Sequence, residues 1–226
     1  MVVERTTIKH LGLIPDGNRR FARERNQLPW WGHEKGVSKM REFFHWVFEE
    51  WQIPVLTVYG LSSKNLSRPK IEVSKILYLI KWGLSDAKRT DQFMMENVRI
   101  NFIGRTHLFP TSFQKALRSA ERATEENDRF NLNIALAYDG HSEIADAVSG
   151  GARTEKEIER ATYIGRFPQP DLIIRTGGEK RLSGFLLWGS SYAELDFVSK
   201  MWPEFSKEDL KKSVSGFERR NRRFGK

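Results

Sequence analysis

The chain has 226 residues, 39% of them hydrophobic, with seven Trp, fifteen Phe and five Tyr. That is enough apolar material to bury one core and excludes a disordered chain, so a single domain spanning 1–226 is expected. A formal charge of +9 favours anionic partners, and the absence of cysteine excludes disulfides, a thiolate nucleophile and cysteine-held metals.

Six short apolar runs have strand character: Leu11 to Ile14, Val55 to Leu61, Val98 to Ile103, Leu132 to Ala137, Leu172 to Ile174 and Glu194 to Phe197. Stretches of helical period separate them. After the first run comes a helix start, and Gly36 to Trp51 places Val37, Met40, Phe43, Phe44, Val47 and Phe48 on one stripe. Ile71 to Met95 and Thr111 to Asn127 read as helices, and a short helix over Glu155 to Tyr163 is flanked by the loops of the least periodic region. Strands alternating with helices predict an α/β fold: a central, mostly parallel six-stranded sheet flanked by helices. Sites in such sheets form beyond the carboxyl ends of the strands.

The segment Lys207 to Lys226 holds eight basic and three acidic residues, and is expected as a solvated helix with a basic end. No apolar run reaches the ~20 residues needed to span a bilayer, and no basic N-terminal segment leads into an apolar stretch. The expectation is a soluble, cytoplasmic protein able to visit a membrane surface.

Three strand ends carry polar clusters. After the first come Asp16, Gly17, Asn18, Arg19 and Arg20: a glycine for a tight turn, a carboxylate suited to Mg²⁺, and an arginine fork suited to phosphate. Read alone, this is equally an ordinary turn capping a helix. The passage continues into "WWGHEKG", where His33 stands next to Gly32 at a helix start and either donates to phosphate or caps. After the second strand, "YGLSSKNLSRP" offers Ser62, Ser63, Asn65 and Arg68. After the fifth, "IRTGGEKRLSGF" can converge Arg175, Thr176, Arg181 and Ser183 with two glycines on a multiply charged oxyanion. Neither a Walker A nor a dinucleotide fingerprint is present. A nucleic-acid binder, the rival suggested by the charge, would spread basic residues and aromatics along a continuous surface rather than at strand ends beside glycines, and no specific nucleic-acid partner is expected.

The segments "LIPDGNRRFA", "GHEKG", "LTVYGLSSKNLSRPKIEV", "NVRINFIG", "LNIALAYDG", "DLIIRTGGEKRLSGFLLWGSSYAELDF", "WPEF" and "RRNRRFG" together resemble the cis-prenyltransferases, the family that includes undecaprenyl diphosphate synthase, over nearly the whole chain. The resemblance implies a homodimer with a deep apolar tunnel that extends an allylic prenyl diphosphate with isopentenyl diphosphate and releases pyrophosphate. It implies that Asp16 positions Mg²⁺, with Gly17, Asn18, Arg20 and His33 around the allylic headgroup. It further implies that Arg175, Arg181 and Ser183 hold isopentenyl diphosphate, that Asn65 and Arg68, with Ser62, act from the loop after the second strand, and that Glu194 lies near Mg²⁺ and the dimer contact.

Several positions depart from the family pattern. Pro29 replaces an arginine, Lys64 and Leu66 stand where Glu and Trp are usual, Gly184 replaces an asparagine, and Arg105 an aspartate. These changes weaken the allylic side more than the isopentenyl side. Two alternatives therefore accompany regular elongation: an irregular condensation with dimethylallyl diphosphate as acceptor, giving a branched product, and a noncatalytic prenyltransferase subunit.

Overall fold

The computed structural model describes Glu4 and residues 6–89 and 97–220, the side chains of 85–89 apart. Its six strands are β1 (His10–Ile14), β2 (Val55–Ser62), β3 (Val98–Ile103), β4 (Phe130–Tyr138), β5 (Leu172–Arg175) and β6 (Glu194–Phe197). They form one sheet in the order β3-β4-β2-β1-β5-β6, and every pairing is parallel. The strand order reverses about β1, which has β2 on one side and β5 on the other. A crevice therefore opens beyond the carboxyl ends of β1 and β5, the place where such sheets take ligands.

The helices are α1 (Asn18–Glu24), α2 (Pro29–His45), α3 (Lys70–Arg89), α4 (Thr111–Ala123), α5 (Gly140–Ser149), α6 (Glu155–Ala161) and α7 (Lys207–Glu218). α2 begins at Pro29, seven residues before the expected stripe, and runs on through a π-helical turn, Trp46–Glu50. Proline at the first helical position loses nothing, because its missing N–H has no intrahelical partner there. The helix expected over Ile71 to Met95 is α3, and residues 90–95, with Phe93 and Met94, lie outside the described residues. α5 has no counterpart among the sequence expectations.

The basic tail is less solvated than its charge implies. Ser206 and Asp209 cap α7 reciprocally, and its inner face sends Leu210, Val214 and Phe217 into the core. Burying each contributes about 1.5–3 kcal/mol, while Lys207, Lys211 and Lys212 stay exposed on the outer face. Residues 221–226 lie outside the described residues.

One face of the sheet packs on α2 and α7 through Phe43, Val47, Phe48, Leu56 and Leu132, with α3 and α4 forming an adjoining cluster. The other face carries a chain of polar side chains across four strands. Arg166 donates to Asn101 Oδ1, Asn101 Nδ2 to Asn133 Oδ1 (3.1 Å), and Asn133 Nδ2 to Thr57 Oγ1 (3.1 Å). Thr57 then donates to His10 Nε2 (2.7 Å) and His10 Nδ1–H to the Pro168 carbonyl (2.7 Å), so each acceptor along the row is used. Burial lowers the His10 pKa from 6.5 to about 4, which keeps the ring neutral, and the Pro168 carbonyl, which can only accept, puts its proton on Nδ1. Among the described residues no helix is long and apolar enough to cross a membrane.

Candidate active site

Two polar clusters meet at the mouth of an apolar cavity. The first joins the ends of β1 and β5. Ile14 pairs in register with Arg175, so the turn after β1 and the loop after β5 leave the sheet side by side. Arg175, buried, donates from Nη2 to Asp16 Oδ2 at 2.7 Å, and from Nη1 to Ser183 Oγ at 2.9 Å and to the Arg181 carbonyl. The Asp16 carboxylate, 33% exposed, also accepts from the Gly17 N–H at 2.6 Å and stands 3.6 Å from Arg20 Nη2. Thr176 Oγ1 ties the two segments again by donating to the Asp16 carbonyl (2.7 Å).

Gly17 takes a φ of +105°, and a Cβ there would lie 2.9 Å from the Met201 side chain. Only glycine satisfies both the left-handed turn and that contact. Ser183 also lies in the left-handed region, at a φ of +53°, and is held there by the Arg175 contact. Arg181 belongs to the same loop, but its guanidinium is 59% exposed and donates to Glu179 at 2.5 Å. Its carbonyl reaches Arg175; its charge faces outward.

The second cluster surrounds Glu72, buried in the first turn of α3. Glu72 Oε1 lies 3.3 Å from Arg68 Nη1, 3.5 Å from Arg19 Nε and 3.7 Å from His33 Nε2. Burial lowers the His33 pKa from 6.5 to about 4, and the Arg68 charge adds to this against the opposing pull of Glu72, so His33 is neutral at pH 7. His33 is no cap: α2 has already begun at Pro29, and the ring points from the helix body towards α3. Ser62 and Asn65 cap the turn that carries Arg68, each side chain bonding the other's backbone N–H (3.1 and 3.2 Å).

α1 and α2 cross closely enough that Cβ atoms on Gly32 and Gly36 would lie 2.0 Å from the Asn18 carbonyl oxygen and 2.3 Å from Asn18 Oδ1. The four-residue spacing in "GHEKG" puts both glycines on the contact face while His33 projects beside it. Four buried side-chain atoms of the described residues lack hydrogen-bond partners, and three belong to these clusters: Asn18 Oδ1, His33 Nε2 and Arg175 Nε. Native interiors rarely leave such atoms unpaired, so their concentration here marks a place built for a polar ligand.

Behind the clusters lies a cavity of ≈ 170 Å³. Pro15, Asn18 and His33 stand on its wall with Val37, Met40 and Phe44 of α2. Ile76, Leu79 and Ile80 of α3 face them over a floor of Val58, Leu132 and Ile134. Leu77 of α3 packs with the α3–α4 cluster.

Residues 14–225 match the family model described as "Putative undecaprenyl diphosphate synthase". The chain is 44% identical over 231 residues to the tritrans,polycis-undecaprenyl-diphosphate synthase (geranylgeranyl-diphosphate specific) of Methanopyrus kandleri, covering 96% of the chain and 84% of the relative. It is 42% identical over 234 residues to an isoprenyl transferase of Thermus thermophilus, covering 96% and 89%. Among solved structures, it matches lavandulyl diphosphate synthase from Lavandula x intermedia, in complex with dimethylallyl diphosphate, at a TM-score of 0.90 and 30% identity, covering 97% of the chain and 99% of that one. The chain belongs to the cis-prenyltransferases.

Among the site residues expected in this cis-prenyltransferase, the structure gathers Asp16, Gly17, Arg20, Arg175 and Ser183 in one cluster, and His33 and Arg68 in the other. It does not bring Glu194 to Asp16 within one chain. Glu194 pairs in register with Leu172, three residues or about 10 Å down the sheet from Arg175, and its carboxylate accepts from Arg220 at 2.6 Å. Within one chain Asp16 and Glu194 are therefore apart, and among the described residues no group of three or more His, Asp or Glu could hold a metal alone.

Two residues escaped the reading of the sequence. Glu72 was legible only as an acid four residues after Arg68; its burial among three basic side chains comes from α1, α2 and α3 meeting. Tyr59, within β2, stacks on Phe185 at 4.9 Å and points its hydroxyl at the Ser183 carbonyl at 3.3 Å, so it braces the loop that carries Ser183. Burial pushes its pKa up to about 12, and the hydroxyl stays protonated as a donor.

Proposed function

We propose that the two clusters divide one condensation between them, with the allylic diphosphate at Asn18, Arg20, His33 and the Arg68 turn, and isopentenyl diphosphate at Arg175, Ser183 and Arg181. The chain is a cis-prenyltransferase: it condenses an allylic diphosphate with isopentenyl diphosphate to extend a cis-polyprenyl chain. The observation that carries the division is the 2.7 Å contact between Asp16 and Arg175, which holds the two headgroup sites against each other beside the apolar cavity.

Chemically, the allylic C–O bond breaks, leaving an allylic cation and a diphosphate. The double bond of isopentenyl diphosphate supplies the electrons of the new C–C bond, and a proton leaves the condensed product. Charge grows on the departing oxygens, so arginines aimed at them act most strongly in the transition state. Arg20, beside Asp16, supplies that on the allylic side, while Arg175 holds the diphosphate that stays. His33, neutral, presents a ring nitrogen without demanding a counterion. The cavity walls keep water from the cation, which would otherwise be hydrolysed.

Mg²⁺ fits this site in one form. Asp16 is a single oriented carboxylate, two of whose lone pairs are used by Gly17 and Arg175, and Asn18 Oδ1 on the same turn is unpartnered. One carboxylate plus substrate phosphates is a usual Mg²⁺ environment. Bound there with the diphosphate, Mg²⁺ supplies charge neutralisation of the leaving group. Family resemblance further supports a homodimer working in the cytoplasm, and Glu194 reaches this metal only from a second subunit.

The deciding experiment supplies Mg²⁺, isopentenyl diphosphate and geranyl, farnesyl or geranylgeranyl diphosphate, follows pyrophosphate release, and determines the product by mass and NMR. Linear cis products are expected, and relatives specific for geranylgeranyl diphosphate favour the longest primer. Branched products with dimethylallyl diphosphate alone would establish the irregular reaction, which the likeness to lavandulyl diphosphate synthase supports. Silence with every pair would establish a noncatalytic subunit.

A further inference from the structure

The outer face of α3 has a composition that packing does not explain. Ile71, Tyr78 and Trp82 are 61%, 63% and 41% exposed, and they recur at helical spacing along one side. Lys75 is exposed on the same side, and Lys70 and Lys81 are exposed on its flank. Over residues 70–84 the only carboxylate is Glu72, which is buried against Arg19 and Arg68. Large apolar and aromatic residues bordered by lysines, with no exposed acid, suit a helix lying in a lipid headgroup layer.

This face is also close to the cavity. A groove between α2 and α3 is lined by Trp30, Tyr78, Leu79 and Trp82, with Glu34 its one acid, and Leu79 lines the inner cavity as well. One side chain thus belongs to both walls. α3 turns Ile76, Leu79 and Ile80 towards the cavity and its aromatics and lysines outward.

We propose that the outer face of α3, with the α2–α3 seam, docks on an anionic lipid bilayer, placing the apolar cavity against the membrane that receives its product. Charge complementarity selects this occupant: three exposed lysines meet anionic headgroups, while Ile71, Tyr78 and Trp82 enter the boundary with the acyl chains. The docking deepens the proposed function and rests on it only for what fills the cavity.

The test floats the full chain with vesicles of phosphatidylcholine, pure or containing about one third phosphatidylglycerol. Binding to the mixed vesicles is expected, about 10²-fold weaker on the neutral ones. Replacing Ile71→Ser together with Tyr78→Ser weakens binding to the mixed vesicles about tenfold or more, and Lys75→Glu with Lys81→Glu abolishes the preference for anionic lipid. Both variants keep pyrophosphate release in detergent. Absence of wild-type flotation, or flotation indifferent to both variants, overturns the docking while leaving the condensation untouched. A variant that instead changes the sedimenting mass shows that the face closes against a second copy, and equally overturns it. Loss of condensation in the wild type with flotation preserved would sink the proposed function alone.

Discussion

Arg175→Lys keeps the charge at the centre of the site and removes its shape. The guanidinium reaches three partners from one buried position: Asp16 Oδ2 at 2.7 Å, Ser183 Oγ at 2.9 Å and the Arg181 carbonyl. A lysine ammonium is a single point on a flexible stem and cannot span them together. A hydrogen bond to a charged group contributes about 1.5–3 kcal/mol, and the partial exposure of Asp16 favours the lower end. Forfeiting two such contacts costs about 3 kcal/mol, or roughly 150-fold in kcat/KM. The loss should fall chiefly on isopentenyl diphosphate, because Ser183 and its loop come free while the α3 cluster stays in place. Steady-state pyrophosphate release, with each substrate varied in turn, measures this, and Arg175→Met should cost more again. If Arg175→Lys stays within twofold of the wild type for both substrates, the three-way anchoring is not what organises the site.

Gly36→Ala puts a methyl 2.3 Å from Asn18 Oδ1, and the forced separation of α1 from α2 should cost about 1–3 kcal/mol. A melting temperature lowered by about 3–10 °C, with a raised KM for the allylic substrate, is the expected result. Glu72→Gln leaves Arg19 and Arg68 facing each other without an anion; kcat should fall about tenfold or more while the fold survives, checked by kinetics and circular dichroism. His10 and His33 have folded-state pKa values depressed to about 4, so the unfolded chain takes up their protons first as pH falls below 6.5. Stability is full above pH 6.5 and should drop by about 1–2 kcal/mol per histidine by pH 5, before carboxylates titrate. Urea unfolding at pH 7 and pH 5 measures it, and His33→Gln should remove only its own share.

Period and turn chemistry were enough to place all six strands, because a buried parallel sheet needs short, β-branched, apolar runs whatever surrounds it. The same local logic located Asp16, Arg175 and Ser183, since strand ends are where a parallel sheet exposes its loops. Gly17 could be anticipated too, as tight turns favour glycine. What no local pattern contains is which strand ends become neighbours. β1 and β5 are separated by more than 150 residues in sequence yet share a register, and that pairing alone brings Asp16 to Arg175. Burial was likewise decided at the tertiary level. The basic tail reads as a solvated helix until its inner face finds a core, and Glu72 reads as a surface acid until three helices close around it. Glu194 is another case: only the strand pairing shows that, within one chain, it stands several residues down the sheet from the Asp16 turn. Backbone preference acts over a few residues and is legible in them, whereas site geometry depends on contacts between distant segments that exist only after the core has formed.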